Sequence, residues 1–70
     1  MDPADAVLAV LADADDPLHW TVIQDRALRA GFLDPFTTPD VRAAVLGALR
    51  AALADGRVRR TATGVYALPV

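Results

Sequence analysis

The apolar pattern of this chain changes period at Asp55-Gly56, and that switch confines the fold. Up to Ala54 the apolar residues recur at three- and four-residue spacing, the mark of amphipathic helix. Beyond Gly56 they alternate: Val58 lies between Arg57 and Arg59, Ala62-Thr63-Gly64 reads as a turn, and Val65-Tyr66-Ala67-Leu68 follows. This pattern predicts a β-hairpin. An isolated two-stranded hairpin is not stable in water, so it must pack on the helices before it. Tyr66 and Leu68 share a face and are the expected contact.

The helical part divides at its caps and breakers. Asp2 and Pro3 suit the cap and first position of a helix running to about Ala14, with Val7, Val10, Leu11 and Ala14 as its apolar stripe. Asp13, Asp15, Asp16 and Pro17 end it, and Leu18-His19-Trp20 reads as a short strand able to join the hairpin at its edge. Thr21 with Gln24 forms a capping box that predicts a second helix, stopped by Gly31. Phe32 and Leu33 are expected to fold back onto the core. Asp34 to Thr38 forms a turn, and Thr38-Pro39 signals the start of a third helix reaching Ala54. Its buried stripe is Val41, Ala44, Val45, Ala48, Leu49 and Ala52. The expected fold is mainly α with a small antiparallel β-hairpin, an α+β winged helix-turn-helix. Its order is helix, strand, helix, helix, strand, strand, in one domain over residues 1–70.

A domain of 70 residues buries only roughly 60% of its unfolded surface, too little to enclose a deep cofactor cavity. There is no Cys, Ser, Lys, Glu or Asn, and the one His has no carboxylate at ligand spacing. That inventory argues against an enzyme, a metal site, a cofactor and a small-molecule substrate. The Asp13 to Asp16 loop lacks the glycine and distal Glu of a calcium loop and reads as a solvated turn. No apolar stretch reaches the about 20 residues that cross a bilayer. Asp2 and Asp5 stand where a secretory signal would carry basic residues, which points to the cytoplasm. Every cation is Arg and every anion Asp, a bias that suits a GC-rich genome.

Charge is divided along the chain. Residues 1–40 carry eight Asp and two Arg, whereas residues 41–70 carry one Asp and five Arg. Arg42 and Arg50 fall on the third helix; Arg57, Arg59 and Arg60 fall on the hairpin.

At the residue level the chain resembles the HARE-HTH family of winged-helix modules, found in chromatin regulators, restriction enzymes and the RNA polymerase delta subunit. The similar pieces are Pro17-Leu18-His19 with Ile23, Ala27 and Gly31, then Thr38-Pro39, and Gly64-Val65-Tyr66-Ala67-Leu68. The resemblance implies binding to double-stranded DNA, or linking DNA to proteins that act on it, in transcription, chromatin or restriction-type transactions.

A winged helix places its third helix in the major groove and its wing against neighbouring backbone. The candidate DNA-binding residues are therefore Arg42, Arg50, Arg57, Arg59 and Arg60, with Thr21 and Thr38 at helix starts that can face phosphate. Opposite the buried stripe of the third helix lie only Ala43, Gly47, Arg50 and Ala54, so Arg50 alone reaches base edges and binding is expected to be weakly specific. Trp20 and Tyr66 are assigned to the core, and His19 to a structural role. The alternative is a protein-binding module without DNA affinity. In that case the smooth helix face, bordered by Leu46, packs on a partner such as RNA polymerase or on a second copy.

Overall fold

Asp2 opens the first helix, its carboxylate accepting from the Asp5 amide at 2.9 Å. In the computed structural model, which describes residues 1–69, that helix is α1 (Pro3–Ala12). It stops two residues short of Ala14. The amides of Asp13 and Ala14 bond the carbonyls three residues back, at 3.3 and 3.2 Å, so the chain tightens into a 3₁₀-type turn and leaves the apolar stripe.

The remaining elements are β1 (Leu18–His19), α2 (Trp20–Arg29), α3 (Val41–Ala54), β2 (Arg59–Ala62) and β3 (Val65–Ala67). The order is helix, strand, helix, helix, strand, strand, that of a winged helix. The sheet is antiparallel with β3 between β1 and β2. Leu18 pairs with Tyr66 and His19 with Val65, so the short first strand does join the hairpin. Trp20, expected at the end of that strand, begins α2 instead, although its amide still donates to the Gly64 carbonyl at 2.9 Å. Ala62, expected in the turn, is the last residue of β2.

The starts of α2 and α3 both differ from the sequence expectation. The cap of α2 is His19, not Thr21: its Nδ1 lies 3.3 Å from the Thr21 amide and 2.8 Å from the Thr21 hydroxyl. Pairing with β3 holds His19 extended, so the helix begins directly after it and places Thr21 inside the first turn. Gln24 does not reach back to the cap, and its Oε1 is buried without a partner. The cap of α3 is Asp40, which accepts from the Ala43 amide at 3.0 Å, not Thr38. The Thr37 and Thr38 amides donate to the Asp34 carbonyl at 3.1 and 2.9 Å, which closes a turn ahead of the helix and leaves Pro39 outside it.

The ends of α2 and α3 match the expectation. Arg57 bonds back to Ala52 at 2.8 Å past Gly56, and Phe32 to Ala27 at 2.9 Å past Gly31, each with a second bond from the glycine amide. These are Schellman closures, which need a left-handed residue at the glycine.

Val7, Ile23, Val45 and Leu49 are the largest fully buried side chains. Around them pack Ala6, Val10, Leu11, Ala27, Leu33, Ala52 and Val58. Trp20, Phe32, Tyr66 and Leu68 lie half-buried against this cluster, the last two carrying the hairpin onto the helices. Among the described residues no helix is long and apolar enough to cross a membrane.

Candidate nucleic-acid interface

The 14-residue α3 buries Val45, Leu49 and Ala52. At 100° per residue, Ala43, Gly47, Arg50 and Ala54 then project away from the core, and all four are exposed. Leu46 is half-buried at the border of this face, and Leu53 is 36% exposed. A Cβ added at Gly47 would meet nothing within 4 Å. The outward face is therefore low, open and nearly free of polar side chains, with Arg50 rising from it.

Arg42 sits at the other end of α3. Its guanidinium lies 5.4 Å from the centre of the Trp20 ring, so the side chain is stacked rather than free-swinging. The contact ties the first turn of α3 to the first residue of α2. Sequence alone places Trp20 in the core and Arg42 on the third helix; it does not show that they meet.

Arg57 follows α3 directly, its amide used in the helix closure and its side chain exposed. Arg60 pairs with Tyr66 across the sheet, and Arg59 with Ala67. Consecutive strand residues point to opposite faces, so these two arginines separate. Arg59 helps line a shallow cleft of 290 Å³ that also contains Asp15 and Asp16. Its surroundings are acidic, from the first half of the chain. The ladder is irregular between Arg60 and Ala62, where Thr61 is the extra residue. Bulges of this kind bend a strand and increase its twist.

The arginines expected together are thus divided: Arg59 and Arg60 lie on opposite faces of the wing, and Arg59 lines the cleft that holds Asp15 and Asp16, whereas Arg42, Arg50 and Arg57 are carried by α3 and the closure that follows it. Thr21 is exposed but hydrogen-bonded to His19. Thr38 is half-buried in the Asp34 turn, and the α3 start it was expected to occupy carries the Asp40 carboxylate. An aspartate there satisfies the helix dipole and disfavours phosphate at the same point.

Among the described residues the single ion pair is Arg29 with Asp25 at 3.0 Å on α2, and no cluster of three or more His and Asp could hold a metal ion. No protein-family model matches the chain, and neither a curated protein nor a solved structure is found to be similar to it.

Proposed function

We propose that this chain is a non-enzymatic, cytoplasmic DNA-binding module of HARE-HTH type that sets α3 and the β2–β3 wing against duplex DNA. The observation that carries this reading is the low outward face of α3, continuous in sequence with an exposed arginine-bearing wing. A face of Ala43, Gly47 and Ala54 lets a helix approach a groove closely. Arg42, Arg57 and Arg60 meet phosphates, which carry no sequence information, and Arg50 is left for base edges. Binding is accordingly backbone-dominated and weakly specific.

The test is a fluorescence titration of unrelated duplexes at several salt concentrations. With three phosphates neutralised, the logarithm of affinity falls against that of salt with a slope of about −2.7. Replacing Arg57 and Arg60 with Ala reduces that slope by up to about 1.8 on every duplex. Arg59→Ala reduces it less, because that residue lines the cleft that holds Asp15 and Asp16. Nonspecific dissociation constants of such modules lie at about 10⁻⁴ to 10⁻⁶ M, so silence up to about 1 mM at low salt overturns the reading. The second reading, a protein-binding module, is favoured by the apolar border of the same face at Leu46 and Leu53.

A further inference from the structure

Phe36 is 95% exposed, more than any other large apolar side chain among the described residues. The chain has only two phenylalanines, so half of this core-building residue type stands in water. The loop that carries it is nevertheless fixed. Asp34 Oδ1 accepts from the Phe36 amide at 2.9 Å, and the Asp34 carbonyl accepts from the amides of Thr37 and Thr38. A preorganised loop loses little further freedom when its side chain is captured, which favours binding.

Phe32, four residues earlier, forms part of an open groove of 750 Å³ between the ends of α1 and α2. Ala9, Val10, Ala12 and Ala30 complete its apolar wall, and Arg26 and Arg29 stand at the groove. Arg29 already holds Asp25, which leaves Arg26 without a carboxylate partner among the described residues. Asp13 is the single acid lining the groove. The Phe36 loop carries Asp34 and Asp40 and no cation. An apolar knob with an acidic flank and an apolar groove with a free arginine are complementary in shape and charge.

Four residues of chain span at most about 14 Å, so knob and groove belong to one patch. A patch holding both halves of a contact is self-complementary, and such surfaces close as two-fold dimers. We propose that this end of the molecule is a homodimer interface in which Phe36 of each copy enters the groove of the other and its flanking aspartates approach Arg26. The interface is independent of the DNA reading, because Arg50, Arg57 and Arg60 do not line the groove. One ring and one charge contact on each side make a small interface, so the dimer is transient, with a dissociation constant on the order of 10–100 µM.

Sedimentation equilibrium on the whole chain up to about 1 mM tests this. The wild-type chain is expected to reach a closed dimer and no larger species. Phe36→Ala and Ala30→Glu are each expected to be monomeric. A buried aromatic anchor is worth about thirtyfold or more in affinity, and the dimer has two, so the loss is about a thousandfold. Both positions are exposed, and unchanged thermal transitions confirm that the variants fold; Ala12→Glu is a second groove variant.

The decisive measurement mixes the two defective chains. Phe36→Ala keeps its groove and Ala30→Glu keeps its phenylalanine, so one of the two contacts can form. Amide resonances of Arg26 and Phe32 in labelled Phe36→Ala should shift on adding Ala30→Glu, and not on adding unlabelled Phe36→Ala. A wild-type chain that stays monomeric at about 1 mM overturns the proposal. So does undiminished dimerisation of Phe36→Ala, or a mixture with no shifts.

Discussion

The first turns of α2 and α3 solve the same problem by different means. Each must satisfy free amides that have no partner within the helix. At α3 the solution is local: the Asp34 turn and the Asp40 cap lie within residues 34–43, and every bond spans four residues or fewer. At α2 the cap belongs to the sheet. His19 pairs with Val65, its ring caps the helix, and the Trp20 amide bonds to Gly64 in the wing turn more than forty residues away. One helix start is written in its own segment, and the other depends on the hairpin being in place. Disturbing the wing turn should therefore weaken the start of α2 and leave the start of α3 intact.

The largest expected effect lies at Gly64. Its φ of +73° is one that side-chain-bearing residues rarely adopt, and an added Cβ would lie 3.0 Å from His19 Nε2 and 3.2 Å from Trp20 Cδ1. The His19 ring cannot retreat without giving up the Thr21 amide and hydroxyl. Strain at such a backbone position costs about 1–3 kcal/mol, and the crowding adds to it. Gly64→Ala should lower stability by about 2 kcal/mol, or roughly 8–16 °C in thermal midpoint for a domain of this size. Hydrogen exchange at Trp20, Thr21 and Val22 should accelerate more than at Arg42 to Ala44. Equal acceleration at both helix starts would show that they are not separately supported.

The next effect separates the local cap from its neighbour. Asp40→Ala removes the acceptor for the Ala43 amide and should cost about 1 kcal/mol in a urea unfolding series. Thr38→Ala removes a side chain that caps nothing and should change stability by less than about 0.5 kcal/mol. The reverse order of the two values would return the cap to Thr38-Pro39.

These caps also mark what could be read in the chain. The ends of α2 and α3 were legible because Gly31 and Gly56 are required by one backbone conformation, whatever surrounds them. The hairpin and its contact through Tyr66 and Leu68 followed from the period change, and the third strand at its edge from Leu18-His19-Trp20 after the break at Pro17. The starts were less so. Asp40 and Thr38 are both capable caps, and the choice fell to a turn centred on Asp34. His19 became a cap only because its strand pairing set its backbone. The site was legible as composition, five arginines in the last thirty residues, but not as geometry. Separating Arg59 from Arg60 needs the strand register, and stacking Arg42 on Trp20 needs the packing of α3 beside α2. Phe36 was legible as part of a turn. Nothing in its neighbours' identities tells whether the ring folds inward like Leu33 or stands out.

The smallest effect tests whether the two helix starts communicate. Arg42 belongs to the first turn of α3, just after Asp40, yet its guanidinium rests on Trp20, the first residue of α2. It joins the locally capped start to the sheet-dependent one. An exposed cation–π contact is worth about 0.5–1 kcal/mol, so Arg42→Ala alone should cost about 0.5 kcal/mol. The informative quantity is coupling. If the contact needs Trp20 as the wing turn holds it, Arg42→Ala should cost less in the Gly64→Ala background, where that ring has been pushed aside. In the Asp40→Ala background its cost should be closer to the full value, because the Trp20 ring is undisturbed. Denaturant unfolding of the two double-mutant cycles measures this directly. Coupling with Gly64 larger than with Asp40 places Arg42 functionally with the wing junction, although in sequence it belongs to the start of α3. Additive costs in both cycles would leave the stack without energetic consequence, and Arg42 would then meet phosphate at no cost to the fold.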